Sequence, residues 1–541
     1  MRVGNKTLVV LTALCLLGLF STEIADTDFW WHLKTGEYVV SQRKLPAPDP
    51  FSYTADAGKP AYAGEEKVRY FNLTHEWLAQ AVWYLVWRAG GFPAVVLWKA
   101  ALLAAFCGLG GALAARRGGS IWWGLAAAGA TASVAHWFAA DRPALVSWLL
   151  VAVFVWILER ERPLWILPLL EVVWANSHGG FFLGWVVVGA YAAGAPRRLW
   201  RIAALTVAAS ALNPNHVRIA EVLLAYRQSY LQQTLVEWSQ PPLWGPPYGF
   251  PALLVGGAAV LALGWKRVKR ADWLLFAAFA AAGLMAFRNI VLVAWLAPVM
   301  IAAYWPWRRP LPAIAGPLAA AGLVAALAAG VWQGRFFQLR AALWRFPEGA
   351  ARFLAERRLT QPMFNTYEYG GYLIWRLGPV QRTFIDGRAL NESVYRDYQK
   401  VIAEGGPARR EILERFGVRV LVLNAFEYTT GTLYPLVLDL ARGAEPGWQL
   451  VFQDAQALVW VRDPPAGMPV LDRSQVVDHL EAECRLYVER DPELCLCART
   501  LGFLFLQSGD RQRAQRALGM YLTSPREPDP EAEAAYRRLI R

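Results

Sequence analysis

Apolar segments recur through residues 1–333, and the connections between them carry positive charge on every second turn. Runs at 8–20, 92–115, 121–140, 143–158, 164–178, 180–195, 199–213, 250–265, 271–287, 289–305 and 311–333 predict a polytopic α-helical membrane protein. The number of transmembrane helices is about 11, several near the short limit for crossing a bilayer. With the N-terminus inside, the inner connections hold Arg2 and Lys6, Arg116 and Arg117, Arg160 and Arg162, Arg197, Arg198 and Arg201, Lys266, Arg267, Lys269 and Arg270, and Arg308 and Arg309. The outer connections after the first loop hold only Arg142, Arg218, Arg227 and Arg288. This positive-inside asymmetry orients the chain: N-terminus cytoplasmic, multi-pass in the cell inner (plasma) membrane, C-terminal region extracytoplasmic.

Composition agrees: 56% of residues are hydrophobic, 18% are charged, and there are 27 Trp. The net charge of +13 sits in short clusters between apolar runs, which argues against a nucleic-acid partner. Met1–Ser21 has a basic start and an apolar run but no good cleavage site after it, so it reads as a retained signal anchor.

With this topology the unusual polar residues gather outside. They are the first loop, 23–91, then His136, Asp141–Arg142, Asn176–Ser177–His178, Asn213–His216, Glu237–Trp238 and Arg288–Asn289. Of the 6 histidines, all but His479 fall on or near that side. Such one-sidedness points to an extracytoplasmic site at the bilayer surface. Segment 214–249 is too polar to span and suits an interfacial helix. Trp77–Trp87 suits a second one.

Asp26 and Asp28 follow the first span. An Asp-x-Asp pair on extended chain turns both carboxylates to one side. They would bind a divalent cation (Mg or Mn), or one would act as a general base; the plain alternative is a solvated helix end. His75 and Glu76 form a second acid–base pair, or a surface pair where a helix starts. Trp31 and His32 are a sugar platform or part of an interfacial aromatic belt. Arg142 and Arg288 match phosphate oxygens, or merely orient neighbouring groups. His136, His178 and His216 stand at helix ends, where a histidine is commonly structural. Asp49 reads as an Asx turn. Glu171 is an isolated acid inside a span. No P-loop, G-x-S-x-G or H-E-x-x-H motif occurs.

After residue 333 the composition becomes that of a soluble chain. Residues 334–466 read as an α/β domain with helices at 348–358, 391–404 and 407–416. Its strands fall at Val418–Leu423, Gln449–Gln453 and Ala457–Val461, with shorter ones near Met363–Phe364 and Thr383–Ile385. Residues 467–541 read as three helices, two of which flank Gly509–Asp510 like a tetratricopeptide-type hairpin and offer a surface to a protein partner. Outside the cytoplasm, Cys484 would pair with Cys495 or Cys497.

An Asp pair at the mouth of span one, a long external loop, about 11 spans and an extracytoplasmic C-terminal domain resemble the GT-C class of integral membrane glycosyltransferases. The motifs Asp26–Gly36, Pro46–Thr54, His75–Leu78, Trp174–Gly180, Phe364–Leu373 and Phe384–Arg388 resemble a bacterial group of GT-C-like membrane proteins, over residues 20–463. The resemblance implies a polyprenyl-phosphate-linked sugar as donor and an acceptor outside the cell. It implies a catalytic Asp at Asp26 or Asp28, assisted by His75 or Glu76. A basic residue on the lipid phosphate would be Arg142 or Arg288, and Glu237 and Trp238 would line the lipid side. The alternative is a non-catalytic protein on the same scaffold that binds a lipid-linked glycan or a protein partner.

Overall fold

In a computed structural model of the chain, every one of the expected apolar segments contains a helix, but the helices differ greatly in length. The structure describes residues 4–160, 163–193, 197–226, 228–230, 238–307 and 310–541. Arg2, Arg162, Arg227, Glu237, Arg308 and Arg309 of the sequence reading lie outside the described residues. Two compact units emerge. The first comprises Met1–Ala47 and Tyr62–Ala341, the second Pro48–Ala61 and Ala342–Arg541.

The first unit is helical. Its helices are α1 Asn5–Phe20, α2 Phe29–Gln42, α3 Glu65–Thr74, α4 Trp77–Gly118, α5 Ile121–Ala135, α6 Ala144–Arg160 and α7 Ile166–Ala175. They continue as α8 Phe182–Ala192, α9 Arg197–Ala209, α10 Ile219–Tyr226, α11 Gly249–Leu263, α12 Arg270–Met285, α13 Ile290–Tyr304 and α14 Ala315–Trp332. Among the described residues three helical stretches are long and apolar enough to cross a membrane: Glu65–Gly118, Phe287–Tyr304 and Ala315–Trp332. Several of the other expected spans form shorter apolar helices, so a count of eleven full crossings exceeds what helix length alone supports.

Helix α4 is broken at Gly90 and Gly91. Gly91 adopts φ 63° and ψ −156°, a conformation open essentially to glycine, and Pro93 restarts the helix just beyond. The break separates the aromatic Trp77–Trp87 portion from the apolar spanning portion, as the change of composition predicts. Gly111 of α4 and Gly124 of α5 let the two backbones touch, because a Cβ on either would lie 2.8 Å from the other's carbonyl oxygen. Helix α13 is apolar all round and buried nearly throughout, the expected state of a central helix. Its Trp295 packs over Gly110 and donates Nε1–H to the Phe106 carbonyl at 2.9 Å. At the end of the helices predicted to be cytoplasmic, Arg117 binds Asp272, Tyr304 hydroxyl and Glu159, satisfying charges that would otherwise be stranded.

In the second unit a four-stranded mixed sheet runs in the order β1-β2-β4-β3, with β1 Met363–Asn365, β2 Val420–Leu423, β3 Trp448–Gln453 and β4 Leu458–Arg462. β1 and β2 are parallel, while β4 runs antiparallel to both β2 and β3. All four residues of β2 are buried, as suits a central strand covered on both faces. The expected strand at Thr383–Ile385 is only an isolated bridge from Thr383 to Ser52. The C-terminal helices Gln475–Arg490, Leu496–Gln507, Arg511–Thr523 and Pro530–Leu539 share one core with the sheet. A Cys484–Cys497 disulfide joins the first two of them and leaves Cys495 as a buried free thiol.

Pro48–Ala61 belongs to this second unit, although in sequence it lies within the first loop. The segment is held by polar bonds. Arg388 binds both oxygens of Asp49 (2.8 and 3.1 Å) and both of Asp386 (2.7 and 2.9 Å). Asn391 donates to the Ala57 carbonyl at 2.7 Å. Asp49 also accepts the Ser52 N–H at 2.9 Å, the expected Asx turn. Gly370 is required beside them, since a Cβ there would lie 2.1 Å from the Ile385 carbonyl oxygen. Three of the sequence motifs, Pro46–Thr54, Phe364–Leu373 and Phe384–Arg388, are thereby accounted for by one packing arrangement.

Candidate active site

Two buried acidic clusters form where the first loop meets the outer connections. Asp26 follows α1, and Asp28 immediately precedes α2. Arg142, in the turn before α6, binds Asp26 through Nε (2.5 Å) and Nη2 (3.0 Å) and lies 3.2 Å from Asp28. Asp26 also accepts the Asp28 N–H at 3.0 Å, and Asp28 accepts Trp31 Nε1–H at 3.0 Å. Burial favours the neutral acid at Asp26, but the Arg142 charge and hydrogen bonds outweigh it and hold the carboxyl below its ordinary range.

Behind this pair lies a second ion pair. Lys99 of α4 is fully buried and contacts Asp141 at 3.1 Å. It also donates to the Thr22 carbonyl (3.0 Å) and hydroxyl (3.1 Å). Burial pushes Asp141 up to about 6, against the opposing pull of Lys99. Lys99 thus pins the chain four residues before Asp26 while its partner immediately precedes Arg142. The sequence reading passed over Lys99, although a lone lysine inside an apolar run is the signal that marks it.

Glu76, at the start of α4, is surrounded by imidazoles. His75 Nε2 lies at 3.3 Å, His32 Nδ1 at 3.6 Å and His178 Nε2 at 3.9 Å. Burial would raise Glu76, yet the surrounding imidazoles and the His75 hydrogen bond bring it down to about 2. Burial pulls His32 down to about 4 and His178 down to about 3, despite the Glu76 charge, so both are neutral at pH 7. His178 accepts the Gly180 N–H at Nδ1 (3.0 Å), which leaves its Nε2 protonated and turned toward Glu76. Ser147 Oγ lies 2.7 Å from the same Nδ1 and accepts Trp174 Nε1–H at 2.6 Å. Gln80 Nε2 is 3.2 Å from His32 Nδ1.

The two clusters are neighbours: His32 feels the charges of both Arg142 and Asp26. The close approach of α2 to α4 makes this so, because Gly36 lies directly over the Gln80 backbone, where a Cβ would meet the carbonyl oxygen at 2.1 Å. The Trp31 and His32 rings lie with centroids 3.6 Å apart, tilted by 35°. Asn176 fixes the entry to α4, accepting Trp77 Nε1–H (2.8 Å) and the Leu78 N–H (3.0 Å). Asn215 donates to Thr74 Oγ1 at 3.1 Å.

The remaining sequence candidates fall outside the clusters. Arg288 lies 4.1 Å over the Trp238 ring, near enough for its charge to act on His178. His216 is exposed at φ 48°, and among the described residues no hydrogen bond or ion pair joins it to either cluster. Glu237 lies outside the described residues. Glu171 is buried beside Gly184, where a Cβ would lie 2.4 Å from its Oε2.

The donor set does not fit the divalent cation considered for Asp26 and Asp28. Both carboxylates are directed at Arg142, and His178 presents an N–H rather than a lone pair to Glu76. Among the described residues no group of three His, Cys, Asp or Glu side chains is arranged to hold a metal. The positive charge beside the Asp pair is the guanidinium.

No protein-family model and no curated protein matches this sequence. Among solved structures it is similar to the archaeal oligosaccharyltransferase AglB from Archaeoglobus fulgidus, determined with an inhibitory peptide and a dolichol-phosphate. The identity is 12%, over 99% of this chain and 85% of that one, with a TM-score of 0.55. At that identity the likeness concerns the fold alone, which in this chain comprises a helical unit and a smaller unit with a mixed sheet.

Proposed function

We propose that this chain is a membrane glycosyltransferase that moves a sugar from a polyprenyl-phosphate-linked donor to an extracytoplasmic acceptor, in cell-envelope glycan biosynthesis. The observation that carries the reading is the meeting of Asp26, Asp28 and Arg142 with Glu76 and its three imidazoles inside one buried region of a fold of this class. Asp28 is the base. Its side chain, 15% exposed, is more accessible than those of Asp26 (7%) and Glu76 (10%). Asp26 holds Arg142 in place, and Arg142, 31% exposed, takes the donor phosphate as charge develops on the leaving group. Glu76 keeps His75 and His178 oriented toward the acceptor, while Trp31 and His32, both buried, pack behind them instead of forming the expected sugar platform.

The accompanying topology has the N-terminus in the cytoplasm, about 11 crossings of the inner membrane and the second unit outside. The Cys484–Cys497 disulfide is in keeping with an oxidising compartment. The C-terminal helices would receive a protein partner. The test is Asp26→Asn and Asp28→Asn in the full chain, read by profiling of surface glycans; unchanged glycans in both variants would overturn the reading. A second reading, a non-catalytic scaffold that binds a lipid-linked glycan, draws on the pairing of Asp26 with Arg142 through two bonds. It expects both Asn variants to be silent and deletion of 350–541 to abolish function.

A further inference from the structure

A cavity of about 1280 Å³ lies between α1, α5 and α14. Its walls are mainly apolar: Leu16 and Leu19 from α1, Ala126 and Gly129 from α5, Leu323 from α14. It extends from the turn at Gly119–Ser120, before α5, to His136, just after it. A helix of that length rises about 24 Å, most of the roughly 30 Å depth of a bilayer's hydrocarbon. A phospholipid acyl chain reaches only to the midplane and would fill half of such a cavity. An unbroken isoprenoid chain fills it all.

Access and exit both suit such a chain. The main packing partner of α14 is α1, and only 6% of its apolar window is buried, so the α14 side lies against the lipid. At the other end both walls lead to the Asp26–Arg142 pair: Asp26 follows Leu19 by seven residues, and Arg142 follows His136 by six.

We infer that this cavity receives the polyisoprenoid tail of the lipid-linked donor and delivers its phosphate to Arg142, not Arg288. The identity of the donor rests on the transferase reading above; the location of the tail does not.

Gly129 supplies the test. A Cβ at Gly129 meets nothing within 4 Å, so the side chain of Gly129→Trp starts into the open space of the cavity. Gly189 in α8 is equally open and does not line the cavity, so Gly189→Trp is the control. A long-chain polyprenyl phosphate is added to the detergent-purified full chain, and binding is read by native mass spectrometry. Binding at least tenfold weaker in Gly129→Trp, with Gly189→Trp like the parent, is the expected result. Undiminished binding in Gly129→Trp overturns the inference, as does loss of co-purified phospholipid with polyprenyl phosphate still bound. A photoreactive polyprenyl phosphate on the unmodified protein gives an independent check. Cross-links on 119–136 support the assignment, and cross-links confined to 238–288 overturn it. A transfer assay separates the two claims. If transfer is absent throughout while Gly129→Trp still loses binding, the transferase reading falls and the cavity assignment stands. If transfer is present and Gly129→Trp binds and transfers like the parent, the cavity assignment falls and the transferase reading stands.

Discussion

Asp26 and Glu76 are both buried carboxylates, but Asp26 is neutralised by a guanidinium and Glu76 is surrounded by imidazoles. A guanidinium keeps its charge at any physiological pH. An imidazole changes charge with pH, and burial has left His32 and His178 neutral. The charges of the Asp26 cluster are therefore fixed across the physiological pH range. The Glu76 cluster is a set of hydrogen-bonding groups whose charge depends on acidity. Adjacent clusters can thus differ in how their charge responds to pH.

The strongest test of that contrast is Asp28→Asn. Loss of a general base should lower transfer by about 100-fold to 10,000-fold while leaving the melting temperature nearly unchanged. A rate within threefold of the parent would assign the base elsewhere. Next is the support beneath the fixed pair. Lys99→Met leaves Asp141 buried without its partner and should cost about 3 kcal/mol or more in denaturant unfolding. Lys99→Met combined with Asp141→Leu should recover most of that loss; a double variant as unstable as the single one would show that the pair does not act as a unit.

Gly36→Ala tests whether the clusters must be neighbours. The new methyl meets the Gln80 backbone, so α2 must move off α4, at a cost of about 1–3 kcal/mol. Transfer should fall further than this loss of stability explains, because His32 then leaves Glu76.

The smallest effect concerns pH. The folded-state pKa values of His32 and His178 are depressed to about 4 and about 3, so between the unfolded value of about 6.5 and those values the unfolded chain binds more protons. Stability should fall as pH drops through that window. Glu76, depressed to about 2, extends the same trend below its unfolded pKa of about 4.3. Replacing His178 with Asn should flatten the decline between pH 6.5 and 4 by on the order of 1 kcal/mol; an unchanged slope in thermal melts would argue against burial as the cause.

Much of the second unit was legible residue by residue. The strands at 418–423, 449–453 and 457–461 recur as β2, β3 and β4 within a residue or two, because alternation and turn residues are local signals. The Thr383–Ile385 strand was misread because its apolar pair serves a buried turn beside Ser52 and Asn365 instead of a ladder. Within the site, Asp26, Asp28, His75 and Glu76 stood out by type and position. Lys99, Ser147 and Gln80 did not, since each looks ordinary until its partner is known.

The sequence by itself determined the helical segments of the first unit, the orientation its charges favour and the chemistry available in its loops. Hydropathy and charge act through local free energies of transfer, which can be summed along the chain without knowing its contacts. Only the tertiary structure decided that Arg142 grips Asp26 from 116 positions away, and that His32 and His178 join His75 around Glu76. It also decided that Pro48–Ala61 leaves its own loop to join the second unit through Arg388. Burial makes an unpaired charge too costly to leave, and which partner answers it depends on distances that no single stretch of sequence encodes.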